Sequence, residues 1–389
     1  MVTGLYPTEH GILSNSMWDP QGKESFSMRS TDPHWWSGEP IWQTSAKNGV
    51  PAAVYFWPGS DKPIHGQLPQ WWLPFDGSVP YSVRVDGLLA WIEVYHPKLL
   101  LGYFEMVDHA GHSYGPSNSP KILEALHQAD ATLGRLIEGL EKLGLWEDVT
   151  LILVSDHGMA NVGNGRTAGD ERIAYLEDYM DEASGLLHEI VWMDCSPVTA
   201  IFPSSDQEEA VRQALAAVPP QIGRVYAADD PFIALDRHYN RHDSIAPILF
   251  VLNEGWLFRV HRPRARLVEP ENHPPLNDNE GEDPHAWELR GTMPNSNSNS
   301  NSNSEEEEEE ERAAGAWCPT INGGTHGYDW TVPAMWPMFA AKGPRLKAGA
   351  TLDVIANTDL YLLLCELLDL TARNEAHHGQ ADTVASLWR

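Results

Sequence analysis

The chain has 389 residues, of which 42% are hydrophobic, and carries a formal net charge of −29 at pH 7. This length and apolar content predict a globular protein with a large buried core. The acidity argues against tight binding to duplex nucleic acid, but not against a phosphate-bearing substrate, because bound metal ions dominate the field around them. The sequence contains no run of about 18 apolar residues, so it predicts no membrane span. No feature of the sequence indicates a partner protein.

The N-terminal part of the chain combines loops with one strand and one long helix. Residues 1–80 are rich in tryptophan, proline and glycine, which predicts loops whose aromatic side chains form core or pocket walls. An apolar, strand-like run spans 99–107. Ser119 is a suitable N-cap and Pro120 suits the first helical position, so we predict a helix that ends near Gly144.

The next apolar run, at 149–154, predicts a buried strand. A strand, a long helix and a second strand in this order are typical of a right-handed parallel crossover. Further strands are predicted at 248–252 and 337–341, and a late helix at 357–370. The pattern as a whole indicates an α/β fold.

One stretch, 262–317, differs from the rest in composition. It is rich in Pro, Asn, Glu and His, and contains five Asn-Ser repeats followed by the glutamate run 305–311. Such a composition buries too little apolar area to offset its chain entropy, so we predict a disordered, acidic, low-complexity insertion, with an interaction arm as the alternative. The catalytic domain is then predicted as 1–261 and 318–389.

The cysteines are few: Cys195, Cys318 and Cys365. An odd, sparse set at these spacings predicts neither a disulfide framework nor a cysteine-based metal site, although one disulfide between two of them stays open. Cys365 lies in the predicted late helix, and we expect it to be a small buried residue.

Three short segments carry carboxylates and imidazoles, the side chains that bind Zn²⁺ in proteins. They are, in chain order, Asp108 with His112, Asp156 with His157, and His326. The first two segments follow predicted strands, and ligands of an open parallel sheet gather beyond the carboxyl ends of its strands. The combination therefore indicates a two-metal hydrolase.

Each segment alone has a simpler interpretation, because an Asp–His pair is commonly a structural hydrogen-bonded pair and a loop histidine is commonly solvated. Binding of one ion by Asp108 and His112 calls for a sharp turn, which Gly111 would ease. Asp156 and His157 are adjacent, so both can reach one metal only where the strand has ended and the chain turns.

Four further segments carry a recognisable pattern. They are Thr-Gly-Leu-Tyr-Pro-Thr-Glu-His-Gly-Ile at 3–12, Asn-Ser-Met-Trp-Asp-Pro at 15–20, Tyr-Phe-Trp-Pro-Gly-Ser at 55–60 and Gly-Ser-Val-Pro at 77–80. Together with the candidate ligand segments, they resemble the nucleotide pyrophosphatase/phosphodiesterase family of the alkaline phosphatase superfamily. The resemblance implies a doubly wound, mostly parallel α/β sheet with helices on both faces, and a site with two zinc ions.

The resemblance also implies roles for individual residues. The zinc ligands would be Asp108, His112 and His326 for one ion, and Asp156 and His157 for the other. Asn15 would donate to the oxygens of the developing phosphorane, as oxyanion-hole side chains do. Phe75 matches a position that stacks on the nucleoside or leaving group, and Asp61 matches a pocket position.

In the family, a strand ending in Asp-Gly and a Thr-Phe-Pro-Asn segment come before the motif seen here at 3–7. The threonine is the nucleophile, and the Asp and Thr are ligands of the second zinc. The resemblance places both parts before Met1, and Thr3 is not a substitute. We therefore expect a chain that lacks the first strand and the nucleophile, has one complete zinc site, and is nearly inactive by itself.

The function expected from this resemblance is zinc-dependent hydrolysis of phosphodiester or pyrophosphate bonds. Nucleotides that yield nucleoside monophosphates are the expected substrates, with phospholipid headgroups left open. One alternative is an inactive fragment or pseudoenzyme that binds metal and ligand, and another is a monoesterase or sulfatase relative. Family members usually enter the secretory pathway, so an extracellular location is expected, although no signal segment is recognised at the start of this sequence.

Overall fold

A computed structural model describes residues 1–117, 119–163, 172–180, 183–236, 238–239, 242–261, 316–317, 323–352, 354–372 and 377–388. The predicted insertion, apart from the backbone of 316–317, and Cys318 lie outside the described residues.

Helices occur along both halves of the chain. Their bounds are α1 Pro7–His10, α2 Ile41–Lys47, α3 Tyr81–Tyr95, α4 Met106–Tyr114, α5 Pro120–Lys142, α6 Glu208–Ala216, α7 Asp359–Leu367 and α8 Ala381–Ala385. Among the described helices, none combines the length and the apolar character that a bilayer crossing requires.

The strands are short. Their bounds are β1 Ser16–Asp19, β2 Glu24–Ser27, β3 Ala52–Tyr55, β4 Trp71–Leu73, β5 Leu99–Gly102, β6 Leu151–Val154, β7 Ala160–Asn161, β8 Ile173–Tyr175, β9 Ile190–Asp194, β10 Val198–Pro203, β11 Gly223–Ala227, β12 Ile248–Leu252, β13 Leu257–Arg259, β14 Ala316–Trp317, β15 Gly324–Thr325 and β16 Phe339–Lys342.

A parallel sheet with the order β4-β3-β5 carries the first half of the fold. All four residues of β3 are buried, as expected for a strand covered on both faces. On one face Val54 packs against Trp42 of α2 and Tyr361 of α7. On the other face Tyr55 packs against Leu88 of α3. This arrangement confirms the predicted α/β fold with helices on both sides of a parallel sheet.

The second half of the fold is built on a five-stranded sheet with the order β11-β12-β10-β9-β14. Its pairings are antiparallel, except that β14 runs parallel to β9. Helix α6 covers this sheet, and its Val211 and Leu215 join Ile201 and Phe250 in the largest core cluster. This sheet holds the strand β9, whose last residue, Asp194, accepts a hydrogen bond from Ser14.

Two small antiparallel pairings bring distant segments together near the site. Strand β6 pairs with β16, and β7 pairs with β15, so that Thr325 lies opposite Ala160. Because β7 follows Asp156 and His157 by a few residues, the second pairing carries His326 to their side.

The predicted elements are largely confirmed. The long helix begins as expected, with the Ser119 hydroxyl accepting a hydrogen bond from the Lys121 amide at 3.2 Å, and Gly144 follows its end with a φ of +71°. The strands predicted at 149–154, 248–252 and 337–341 are β6, β12 and β16.

The interpretation of 99–107 as one strand is wrong. The strand β5 ends at Gly102 and helix α4 begins at Met106, because Glu105 is the N-cap residue of that helix. The strands on either side of the predicted crossover also do not pair with each other. Among the described strands, β5 pairs with β3, and β6 pairs with β16 in antiparallel orientation.

A cavity of about 2840 Å³ lies between these two strands and extends to the candidate site. Its walls include the residues of β5 and β6 and apolar side chains of α5 and α7, such as Leu133 and Leu364. Leu153 of β6 is 40% exposed although it belongs to a fully apolar strand. The cavity therefore has a largely apolar interior and reaches the polar side chains described below.

Candidate metal centre and substrate cavity

Helix α4 places two of the predicted ligands on one face. Asp108 and His112 are four residues apart within Met106–Tyr114, and residues at this spacing lie above one another on a helix. The His112 Nε2 atom lies 3.5 Å from the Asp108 Oδ1 atom. The predicted sharp turn is therefore wrong, because a regular helix brings the two side chains together.

Gly111 has a different role from the predicted one. It lies inside α4, and a Cβ atom there would come 2.9 Å from the Cε atom and 3.2 Å from the Cγ atom of Met159. The absence of a side chain at Gly111 lets α4 pack closely against the segment that follows β6. That segment carries Asp156 and His157, so this close packing brings the two ligand groups near each other.

The third ligand of the first group comes from the far end of the chain. Pairing of β15 with β7 positions His326, whose Nε2 atom lies 3.8 Å from the Asp108 Oδ1 atom. The same segment orients His112, because the His112 Nδ1 atom lies 3.0 Å from the Gly324 carbonyl oxygen. A carbonyl oxygen only accepts, so Nδ1 carries the proton and Nε2 can offer its lone pair to a metal.

These three residues fit a zinc ion. One ligand atom from each of Asp108, His112 and His326 lies within 4.8 Å of the others. Within the described residues, the Asp108 Oδ1 atom is buried and has no hydrogen-bond partner. A buried carboxylate oxygen without a partner is costly unless a cation binds there. One carboxylate and two imidazoles are also a donor set that zinc accepts.

The protonation state of His326 suits metal binding. Burial, followed by the nearby His157 and His112 imidazoles, lowers the pKa of His326 to about 2. The ring is therefore neutral at physiological pH and has a lone pair to offer. Metal ligands of this type must be deprotonated to bind.

The second predicted pair, Asp156 and His157, lies directly beside the first group. The ring of His157 stacks on that of His326, with centroids 3.5 Å apart and planes 14° apart. The His157 Nδ1 atom donates to the Gly158 carbonyl at 2.8 Å, which leaves its Nε2 atom 3.5 Å from the Asp156 carboxylate. All five predicted ligands thus lie in one contiguous cluster.

The turn that holds Asp156 and His157 is tightly packed. A Cβ atom on Gly158 would come 2.0 Å from the Ala334 carbonyl oxygen. The Gly158 amide donates to the Met335 carbonyl at 2.9 Å, and the Asn357 side chain donates to the Asp156 carbonyl at 2.9 Å. The strand has ended before Asp156, as the prediction required.

Asn15 lies exposed on the wall of the same cavity, immediately before β1. Its neighbour Ser14 is anchored, because the Ser14 hydroxyl donates to the Asp194 carboxylate at 2.8 Å. The Ser196 amide donates to the other carboxylate oxygen at 3.2 Å. Burial raises the pKa of Asp194 to about 6. Ser14 and Asp194 thus connect the loop that carries Asn15 to the end of β9.

Phe75 and Asp61 line the cavity too. The Phe75 ring is 41% exposed and contacts Phe56 edge to face, with centroids 5.5 Å apart. The Asp61 carboxylate lies 3.2 Å from the Nζ atom of Lys62, a buried lysine. An accessible aromatic face and a partly charged wall are features of sites that bind a small polar ligand.

Two buried charged features near the cavity, Asp194 and the ion pair of Arg84 with Glu105, were not predicted from the sequence. Both Arg84 and Glu105 are almost completely buried. The sequence context does indicate their burial, because Arg84 is next to the buried Val85 in α3 and Glu105 follows an apolar run. Their partnership, however, depends on how α3 packs beside β5.

The two cysteines that the structure describes agree with the sequence-based expectations. Cys365 is buried and free, as predicted. Cys195 is disulfide-bonded, which realises the alternative that the sequence had left open.

The fold and these converging side chains define an α/β protein with a candidate zinc centre at the wall of a large cavity. Residues 1–275 match the family model described as type I phosphodiesterase / nucleotide pyrophosphatase. The chain therefore belongs to the type I phosphodiesterase / nucleotide pyrophosphatase family, which confirms the resemblance seen in the sequence motifs.

Similar proteins include curated relatives and solved structures. The chain is 31% identical over 388 residues to a venom phosphodiesterase of Macrovipera lebetinus, a match that covers 97% of this chain and 38% of that protein. It is 29% identical over 375 residues to the bis(5′-adenosyl)-triphosphatase ENPP4 of Bos taurus, covering 95% of this chain and 67% of that protein. The chain thus spans only part of the length of these relatives.

One similar solved structure is murine ectonucleotide pyrophosphatase / phosphodiesterase 5 in an inactive form in complex with AMP. It matches this chain with a TM-score of 0.77 and 30% sequence identity. The match covers 100% of this chain and 86% of that chain. It confirms the alkaline phosphatase-like α/β fold.

Proposed function

We propose that the natural protein hydrolyses phosphodiester or pyrophosphate bonds of nucleotides in a zinc-dependent reaction and releases nucleoside monophosphates. The observation that carries this proposal is the convergence of Asp108, His112 and His326 on the wall of the cavity, where one buried carboxylate oxygen has no hydrogen-bond partner among the described residues. Family membership supports the reaction class. The AMP complex of the murine structural relative supports a nucleotide as the ligand.

Each proposed residue has a role in the reaction. Asp108, His112 and His326 would hold one zinc ion, and Asp156 and His157 would contribute to a second. Zinc would supply Lewis-acid activation of the phosphoryl oxygens and of a water molecule.

The cavity walls would bind and orient the substrate. The amide of Asn15 would donate to the phosphoryl oxygens where negative charge develops. The exposed ring of Phe75 would stack on the base, and Asp61 would contact the polar edge of the nucleoside. The covalent step would use a threonine nucleophile in a Thr-Phe-Pro-Asn segment, as the family resemblance implies.

A second candidate function is binding of zinc and nucleotide without turnover. The specific observation in its favour is that three metal ligands and the cavity walls at Asn15 and Phe75 all belong to the described part of this chain. Binding through these residues does not need a covalent nucleophile. A catalytically inactive form of the protein would therefore still bind AMP.

The test is hydrolysis of the p-nitrophenyl ester of thymidine 5′-monophosphate by the protein as its organism produces it, including any residues before Met1. We expect zinc-dependent release of nitrophenolate that chelation abolishes and zinc restores. The variant His326→Ala should lose this activity, whereas His127→Ala, at an exposed position on α5, should keep it. Equal activity of His326→Ala and the parent protein would refute the proposed site.

Two substrate comparisons refine the result. Faster hydrolysis of the diester than of p-nitrophenyl phosphate would support a phosphodiesterase over a monoesterase. Faster hydrolysis of the nucleotide ester than of glycerophosphocholine would support nucleotides over lipid headgroups. AMP binding without any turnover would favour the second candidate function.

We also propose an extracellular or secretory location. The relatives include a venom phosphodiesterase, and Cys195 is disulfide-bonded. Disulfides persist mainly in oxidising compartments. Detection of the protein in the culture medium of expressing cells would support this location, and exclusive recovery from the cytosol would contradict it.

A further inference from the structure

Arg84 and Glu105 form a buried ion pair at the cavity, of which Glu105 is a lining residue. Their side chains are 1% and 2% exposed. The guanidinium donates to both carboxylate oxygens, with Nη1 2.5 Å from Oε2 and Nη2 2.7 Å from Oε1. Such a two-bonded arrangement fixes the relative orientation of the two groups as well as their distance.

The remaining donors of Arg84 bind two loops. Its Nε atom donates to the Val79 carbonyl at 2.9 Å, Nη2 donates to the Gly77 carbonyl at 3.2 Å, and Nη1 donates to the Tyr103 carbonyl at 3.3 Å. The guanidinium therefore ties the loop after Phe75 to the end of β5. No lysine could make this set of contacts, because its ammonium lacks the planar fork.

Arg84 also supports the aromatic side of the cavity. Its Cζ atom lies 5.1 Å from the Phe56 ring centroid and 5.9 Å from that of Phe75. Phe56 is buried and has a φ of +68°, a left-handed conformation that is rare for a bulky side chain. Such a conformation persists only where the surroundings impose it, and it commonly occurs at functional sites.

Glu105 lies at the start of the metal-ligand helix. It is the N-cap residue of α4, and its carbonyl accepts a hydrogen bond from the His109 amide at 3.0 Å. Asp108 and His112 follow on the same helix. A shift of Glu105 therefore moves the beginning of the helix that carries two of the three clustered ligands.

We infer that Arg84 and Glu105 are positioning residues that hold the aromatic wall of Phe56 and Phe75 at a set distance from the metal-ligand helix. The inference rests on the proposed function, in which the wall stacks on the base while the helix holds the zinc that binds the phosphate. A buried ion pair adds little net stability over apolar residues of similar volume. Its contribution here is geometric, because a displacement of about 1 Å between binding groups is enough to weaken a productive complex.

The test compares two ligands on the zinc-loaded protein, AMP and ribose 5-phosphate, which differ by the base. Isothermal calorimetry gives the dissociation constant of ribose 5-phosphate divided by that of AMP, and this ratio reports the contribution of the aromatic wall. For Arg84→Lys we expect this ratio to fall about tenfold, or about 1.4 kcal/mol, while ribose 5-phosphate binding changes less than threefold. This readout does not depend on turnover.

The matched control is Arg135→Lys. Arg135 forms an equally two-bonded but exposed ion pair with Asp86, with both distances 2.8 Å, between α5 and α3. The Arg135→Lys variant should leave the ratio of dissociation constants unchanged. The double variant Arg84→Met/Glu105→Leu removes both charges together, should fold even if Arg84→Lys does not, and should also lower the ratio.

An unchanged ratio in Arg84→Lys, or in the folded double variant if the single variant fails to fold, overturns the inference and leaves the proposed function intact. Equal weakening of both ligands also overturns it, because a general loss of structure has that effect. Absence of AMP binding by the parent protein overturns the proposed nucleotide function, and the inference with it.

Discussion

The imidazole rings of His157 and His326 are stacked, with centroids 3.5 Å apart. This contact joins the candidate ligand group of Asp108, His112 and His326 to the pair that follows β6. The two histidines are far apart along the chain. Both rings have a defined role in the packing of these segments. The stack restricts the two imidazoles, which limits the conformational entropy that they lose on binding a metal.

Zinc should stabilise the folded protein measurably. In the part of the chain that the structure describes, the buried Oδ1 atom of Asp108 has no hydrogen-bond partner, so a bound cation would satisfy it. At a free zinc concentration of 100 times Kd, the expected stabilisation is about 2.7 kcal/mol. Thermal unfolding with zinc, with magnesium and with chelator measures this effect. Asp108→Asn should abolish the zinc-dependent rise in Tm, and Asp206→Asn, at an exposed position, should preserve it.

Phe75→Ala should weaken nucleotide binding selectively. The Phe75 ring is 41% exposed at the cavity, and stacking of a base on such a ring contributes roughly 1–3 kcal/mol. We expect AMP affinity to fall by about 5- to 150-fold while ribose 5-phosphate affinity stays the same, as measured by calorimetry. Tyr95→Ala is the control, because that exposed ring stacks on Trp71 instead. Equal losses for both ligands would contradict a stacking role.

Gly158→Ala should destabilise the protein and disturb the second ligand pair. The added methyl group would come 2.0 Å from the Ala334 carbonyl oxygen, so backbone has to move. We expect a loss of about 1–3 kcal/mol in the free energy of unfolding, measured in urea. Gly134→Ala, in the middle of α5 with open space around it, should instead stabilise by about 0.5–1 kcal/mol. A neutral Gly158→Ala would show that this turn adapts more easily than the packing indicates.

The buried Asp194 should make stability depend on pH. Burial raises its pKa from 3.8 to about 6, so between these values the folded state keeps a proton that the unfolded chain has released. This contribution to stability is therefore present below pH 3.8 and is lost as pH rises through about 6, by an amount on the order of 3 kcal/mol.

The variant Asp194→Asn checks this dependence, because an amide oxygen still accepts the hydrogen bond from Ser14. As the pH rises from 4 to 7, the free energy of unfolding of the variant, measured in urea, should increase relative to that of the parent. The control is Asp229→Asn, at an exposed position, which should not show this pH dependence. A stability difference between Asp194→Asn and the parent that is constant with pH would exclude Asp194 as the source.

The family resemblance and the residue types predict the candidate ligand cluster from the sequence alone. Zinc binds carboxylates and imidazoles, and four of the five candidate ligands follow apolar runs, so the sequence favours Asp108, His112, Asp156, His157 and His326. The structure brings all five together. The route differs for Asp108 and His112, because a helix rather than a turn aligns them. A helix was hard to predict there, since α4 is short and follows a strand after three residues.

The sequence by itself determined the α/β class, the long helix after Ser119, and the residue types of the candidate centre, because periodicity, capping and ligand chemistry are local properties. Only the tertiary structure decided that Arg84 binds Glu105, 21 residues away, and that Ser14 binds Asp194, 180 residues away. It also shows that close contacts leave no room for a side chain at Gly111 or Gly158. These features arise from close contacts between separate elements, and such contacts depend on packing distances that no local pattern encodes.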